Sequence, residues 1–299
     1  MMSDTTLFLI YPPRSGSTLL QIMLSQHPGI AISPEVRFAR RVLKRFDDPT
    51  AELTGADLDQ LKAIIQQDDK LAGWKIDSQP FIAGIMAAES LSPRAALDAL
   101  FRFNRDVTAS GAPVIGLKKG NLIPIIDKVA AAWPDARFLF AYRDGRACVA
   151  SMVKNLAFDE YQTAAWRWKH RVHYALNLRD REPDRFHMVC YEDLIADTEA
   201  VLRGICSYLG LDFDPRMLEH HRANRDLQFV PKGREAAHRN TSEPVSGRFA
   251  DRWREQLSAE EVQAIEAIIG PELLRLGYTP DFPLPEKRKG RGLFRRGQE

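Results

Sequence analysis

Six consecutive residues, Pro13-Arg14-Ser15-Gly16-Ser17-Thr18, set an arginine, three hydroxyls and a glycine between an apolar run and a helical pattern. The combination suits an anion. The first backbone N–H groups of a helix are unpaired, its dipole favours negative charge, and a glycine lets the backbone approach a ligand closely. Arg14 adds charge and several donors toward phosphate oxygens, and Ser15, Ser17 and Thr18 add hydroxyls. The helix end alone is worth only about 0.3–1 kcal/mol at an exposed site, so the side chains must supply most of the grip. A capped strand-to-helix turn with a surface arginine accounts for the same residues. A second cluster begins at Arg143, which ends the run RFLFAY; Asp144 can cap the helix that follows, and Ser151 lies seven residues beyond that cap. Two turns bring Ser151 back to the loop side, roughly 10 Å along the axis, where it can join Arg143 around a second phosphate. The other reading is a salt-bridged strand end and an unrelated helix serine.

Other polar residues read less sharply. Ser33-Pro34-Glu35 looks like an N-cap serine, a first-turn proline and a first-turn acid opening a helix over 35–46. Lys118-Lys119 follows the run PVIGL as a strand-end pair, and Tyr191 opens YEDL after FHMVC, where an aromatic ring could stack on a base or sit in the core. Pro231-Lys232-Gly233-Arg234 and Ser246-Gly247-Arg248 are candidate lid loops or solvated loop charges. The histidines form no ligand-like group, since His220 and His221 face apart on a helix, and no metal site is expected.

These residues need elements to hold them. Thr6–Tyr11 reads as a short buried strand closed by Pro12-Pro13, followed by a helix that Ser17 or Thr18 can cap and that ends at His27-Pro28-Gly29. Arg137–Tyr142 and the helix after it form a second strand-loop-helix unit. Further strands are expected at Pro113–Leu117 and Phe186–Tyr191, with helices near 121–132, 160–181, 197–209 and 258–269. Repeated βα units imply an α/β class with a parallel sheet. Between about 38 and 112 a polar helical pattern interrupts the alternation and reads as an insertion, either an acceptor-side cap or a layer that only packs. At 299 residues the chain is expected to form one domain over 1–285, with a basic, disordered tail at 286–299 that offers at most weak peripheral contact with an acidic membrane. A net charge of +2, from 42 basic and 40 acidic residues, gives no global field for nucleic acid. Cys148, Cys190 and Cys206 suit reduced thiols, and no run has the length of a membrane span, so a cytoplasmic location is expected.

With these motifs in place, the sequence closely resembles the sulfotransferase superfamily, whose 5′-phosphosulfate loop looks like YPPRSGSTLL and whose 3′-phosphate motif looks like YRDGRACVAS. The match is nearest to protein-tyrosine sulfotransferases and their bacterial relatives, against which Pro13 to Arg37 runs without a gap. The resemblance implies a P-loop-like three-layer fold and the donor 3′-phosphoadenosine-5′-phosphosulfate, with no metal. It implies that Arg14, Ser15, Gly16, Ser17 and Thr18 hold the 5′ end and that Arg143 and Ser151 hold the 3′-phosphate. It likewise implies that Tyr191 contacts the nucleotide, that Glu35 is the general base, and that Lys119 stabilises the leaving nucleotide. The family's proline two positions beyond that lysine is Asn121 here. The implied acceptor carries a hydroxyl: a tyrosine, a carbohydrate, a lipid or a small molecule. Two rivals stand beside this reading, a kinase or hydrolase with a degenerate P-loop lacking GxxxxGK(S/T), and a noncatalytic sensor of 3′,5′-adenosine bisphosphate.

Overall fold

A computed structural model describes residues 4–156, 160–220 and 251–285. Five strands, β1 (Thr5–Ile10), β2 (Ile30–Ser33), β3 (Val114–Lys118), β4 (Arg137–Tyr142) and β5 (Phe186–Cys190), pair in the order β2-β3-β1-β4-β5. Every pair is parallel. Along β1, Phe8 and Ile10 point to one face and Leu7 and Leu9 to the other, as the two-residue period of a strand requires. Both faces are covered, which is why the strands read as continuous apolar runs. Helix α1 (Ser17–Ser25) packs on the Leu7 and Leu9 face. The opposite face carries the Phe8 ring between Phe101, Trp133 and Phe138, with centroids 6.0, 5.2 and 5.7 Å away.

Strand β2 and the helix after it depart from the sequence expectation. Ile30-Ala31-Ile32 is too short to stand out as a strand by pattern, yet it pairs in register with β3, and Ser33 is its buried last residue rather than a helix cap. The helix expected over 35–46 begins at Phe38 and is α2 (Phe38–Arg45), which leaves Glu35 in the strand-to-helix connection. Neither Ser17 nor Thr18 caps α1; they are its first two residues, and Gly16 occupies the cap position.

The insertion is helical as expected: α2, α3 (Gly55–Gln66), α4 (Asp69–Ala72), α5 (Gln79–Ala87) and α6 (Pro93–Thr108). Helix α6 buries Ala96, Leu97, Leu100 and Phe101 and packs on β2 and β3, so it is the crossover helix of that pair. The shorter α4 reaches the strand ends instead. After β3 come a 3₁₀ turn (Gly120–Ile125) and α7 (Ile126–Ala132); β4 leads into α8 (Gly145–Leu156) and α9 (Tyr161–Arg181). Beyond β5 lie α10 (Tyr191–Ala196) and α11 (Thr198–Leu209), then α12 (Trp253–Gln256) and α13 (Ala259–Arg275). The loops at 231–234 and 246–248 and the tail at 286–299 lie outside the described residues.

Candidate active site

The carboxyl ends of all five strands open on one edge of the sheet, and β1 has β3 on one side and β4 on the other. Open parallel sheets bind ligands at such a reversal of strand order. The loop after β1 is shaped for it. Arg14 has φ 69°, the only positive φ of a non-glycine residue among those described, and Gly16 has φ 77°. Left-handed residues recur in the turns whose successive backbone N–H groups make anion-binding concavities. A Cβ on Gly16 would lie 2.3 Å from the Tyr191 ring, so the position needs glycine for space as well as for φ. The Ser15 hydroxyl, expected from the sequence to face a ligand, instead points inward and donates to Pro12 O at 2.9 Å, bracing the loop.

The two anion clusters meet. Arg14 Nε donates to Ser151 Oγ at 2.8 Å, across 137 residues of sequence. Tyr191 joins them a second time: one edge of its ring lies against Gly16, and the Arg143 guanidinium carbon sits 4.6 Å from its centroid. Asp144 caps α8 by accepting from Arg146 N at 2.8 Å, so Arg143 leaves the strand just ahead of a helix N-terminus. Arg14, Ser15, Gly16, Ser17, Thr18, Arg143, Ser151 and Tyr191 thus belong to one cleft.

Glu35 enters that cleft from the β2 side. Its Oε1 accepts from the Tyr11 hydroxyl, its Oε2 pairs with Lys70, and Lys119 Nζ lies 3.7 Å from Oε2. Lys118 takes a different direction, donating to Thr18 Oγ1 at 2.8 Å with its ammonium 5.3 Å from the Tyr11 ring centroid. Burial, the largest influence on Glu35, pushes its carboxyl up, but Lys118, Lys119 and Lys70 outweigh it and hold it at about 2. Burial dominates at the two lysines and brings each down to about 8 against the pull of Glu35. Burial and the neighbouring Arg167 and Arg40 bring Arg171 of α9 down to about 10, with Glu35 opposing. The site is therefore an ionised carboxylate set among cations, beside a cradle of donors.

Four contributors were not singled out from the sequence: Tyr11, Lys70, Arg171, and Asp68, whose charge favours the ammonium of Lys119. Tyr11 stands directly before the anion loop, a position that flags it only once Glu35 is known to approach from β2. Lys70 and Asp68 sit in a polar helical stretch whose spacing carries no sign of the strand ends. Among the described residues, no group of three or more His, Cys, Asp and Glu side chains is placed to hold a metal ion.

The sequence is 27% identical over 288 residues to a protein-tyrosine sulfotransferase of Drosophila melanogaster, covering 93% of this chain and 52% of the relative. It is 25% identical to protein-tyrosine sulfotransferase 1 of Danio rerio, covering 90% of this chain and 70% of the relative. The chain thus spans about half the length of the Drosophila protein. The fold is similar to that of the sulfotransferase domain from the Synechococcus PCC 7002 olefin synthase, with TM-score 0.65, 23% identity, and coverage of 94% of this chain and 96% of that one. It is also similar to the sulfotransferase domain from the curacin biosynthetic pathway, with TM-score 0.63, 20% identity, and coverage of 94% and 99%. Residues 7–215 match the Sulfotransferase family, and with them most of the sheet and every residue of the cleft described above, so the chain belongs to that family.

Proposed function

We propose that the protein transfers the sulfuryl group of 3′-phosphoadenosine-5′-phosphosulfate to a hydroxyl acceptor by in-line displacement, with Glu35 as general base. The observation that carries this reading is the bond from Arg14 to Ser151, which joins the two anion clusters in one cleft. One doubly phosphorylated nucleotide can then be held at both ends, with Arg143 and Ser151 at the 3′-phosphate. Arg14, the loop N–H groups and the hydroxyls of Ser17 and Thr18 hold the 5′ end, and Tyr191 spans the two. The acceptor oxygen attacks sulfur as the bond from sulfur to the 5′-phosphate oxygen breaks, and the acceptor proton passes to Glu35. Charge grows on the departing phosphate oxygen. Lys119, Lys118 and Arg14 oppose it, the kind of preorganised electrostatic stabilisation that carries most of such a barrier. The chemistry is close to phosphoryl transfer, where positioning and charge dominate and no covalent intermediate is required.

A phenol such as tyrosine is the acceptor that the relatives' names favour. The reading takes 1–285 as one domain and a cytoplasmic location, the latter supported by three free thiols. Among the described residues no helix is long and apolar enough to cross a membrane.

The test is incubation with sulfur-labelled donor and a panel of phenolic, carbohydrate and lipid acceptors, with and without chelator. Label should move to an acceptor equally well in chelator, and Glu35→Gln should lower kcat by about 10²–10⁴-fold, the usual worth of a positioned base. Tight nucleotide binding without turnover on any acceptor would make the protein a sensor. Magnesium-dependent transfer of phosphate from adenosine triphosphate would make it a kinase.

A further inference from the structure

Both oxygens of Glu35 are already occupied, one by Tyr11 and the other by Lys70. Each carboxylate oxygen keeps a second lone pair, but an ammonium paired with Oε2 lowers the carboxylate's affinity for a proton and stands beside the site where one would be accepted, so Glu35 is a weaker base while that partner holds. The two partners differ in how they are held. Tyr11 is 8% exposed and fixed in the core, with Lys118 over its ring. The Lys70 side chain is 31% exposed and sits on a helix of only four residues. That helix is nevertheless tied to Glu35. The carboxylate of Asp68, 2% exposed, caps α4 by accepting from Lys70 N and Leu71 N at 3.0 Å each, and its other oxygen accepts from Phe38 N at the start of α2. Arg37 Nε on Asp69 at 2.7 Å and Trp74 Nε1 on Glu35 O at 3.5 Å add to the same junction. A buried carboxylate spent on joining two helix starts is costly unless its hydrogen bonds are complete, and here they set the register of Lys70 against the base. The charged groups facing Glu35 are then Lys70 from α4, Lys118 and Lys119 from the end of β3, and Arg171 from α9, with the Tyr11 phenol after β1.

We propose that Lys70 is a positioning residue that occupies the proton-accepting oxygen of Glu35 and keeps it from activating water until an acceptor displaces the ammonium. The inference rests on the reading of Glu35 as the base. Without the latch, a water molecule in the acceptor's place would lose its proton to Glu35 and attack sulfur. The bond from sulfur to the 5′-phosphate oxygen would break, and sulfate and 3′,5′-adenosine bisphosphate would be released. With the latch, an acceptor must bring enough binding energy to move Lys70 aside, so hydrolysis is suppressed relative to transfer.

The test is release of labelled sulfate from the donor alone, with no acceptor present, followed against pH. Lys70→Met should raise this hydrolysis on the order of tenfold, recovering part of what a general base is worth against water. Its acid limb should also move to higher pH, because Glu35 has lost one of the cations that hold its proton off. Lys70→Gln serves as a second neutral variant, and Lys70→Arg, which keeps the charge, should return hydrolysis toward the wild-type rate. Hydrolysis that stays within about twofold of wild type, or falls, in both neutral variants while they still bind 3′,5′-adenosine bisphosphate would overturn the latch. The reading of Glu35 fails separately: if Lys70→Met hydrolyses the donor faster and Glu35→Gln added to it leaves that rate unchanged, Glu35 is not the base.

Discussion

At the scale of single residues, the cleft is a problem in competing charges. Glu35 remains ionised far below neutrality because three lysines surround it, and Lys118 and Lys119 stay charged near neutrality only because Glu35 partly offsets their burial. Both lysines lose their protons near pH 8 in the folded protein, against an ordinary value of 10.5. With the folded value below the unfolded one, keeping them charged costs stability below about pH 8, and that cost shrinks as pH rises from 8 toward 10.5. Binding of an anionic donor runs the other way, since it needs the charged form. The value of kcat/KM should therefore fall as pH rises through about 8, while the limb of kcat lies higher, because bound phosphates favour the ammonium form. Glu35→Gln removes the attraction that helps hold those protons, so nucleotide binding to that variant should weaken at lower pH than in the wild type. Calorimetric titration of 3′,5′-adenosine bisphosphate across pH reads both effects, and an unmoved limb in Glu35→Gln would contradict the coupling.

At the scale of elements, the strand-to-loop turns do the positioning, and the tightest of them is the one at Gly16. Alanine there meets the Tyr191 ring at 2.3 Å and must hold φ 77°, a strain of order 1–3 kcal/mol. Gly16→Ala should lower nucleotide affinity by roughly tenfold or more while leaving the far-ultraviolet circular dichroism unchanged. The strand-loop-helix units at 5–25 and 137–156 were legible because long apolar runs broken by proline, glycine or a capping residue leave few alternatives. Strand β2 was not, since four residues carry no periodicity and its pairing with β3 is a contact between segments about eighty residues apart. The missed strand also misplaced Glu35. Local spacing makes Ser33-Pro34-Glu35 a good helix start, and only the ladder that claims Ser33 moves the start to Phe38 and leaves the carboxylate free to face the cleft. Lys70 was hidden for a related reason: nothing within a polar helical stretch records which distant strand end it will reach.

At the scale of the whole molecule, the C-terminal helices are locked to the turn between β4 and α8. Arg146, 3% exposed, pairs with Asp144 at 2.8 Å, Glu266 at 2.7 Å and Asp281 at 3.3 Å, and its guanidinium carbon lies 4.3 Å from the Trp253 ring centroid. Glu192 accepts from Asp144 N at 3.2 Å and from Tyr278 Oη at 2.8 Å, tying the chain beyond α13 to the same turn. Removing one member of a buried network leaves its partners' charges uncompensated. Arg146→Ala should destabilise the fold by about 3–5 kcal/mol in denaturant unfolding. A loss under about 1 kcal/mol would mean that the C-terminal helices are not held through this residue.

In the proposed function two clamps, one on each side of β1, grip opposite ends of one nucleotide. Titration calorimetry of 3′,5′-adenosine bisphosphate, adenosine 5′-monophosphate and adenosine 3′-monophosphate against the wild type, Arg143→Ala and Arg14→Ala tests it most directly. Each charge-assisted phosphate contact is worth about 1.5–3 kcal/mol, or roughly ten- to a hundredfold in affinity. Arg143→Ala should erase the preference for the bisphosphate over the 5′-monophosphate and keep its preference over the 3′-monophosphate, and Arg14→Ala should do the reverse. If both variants lose the same preference, or neither loses any, the two arginines do not hold the two ends of one ligand and the account is wrong.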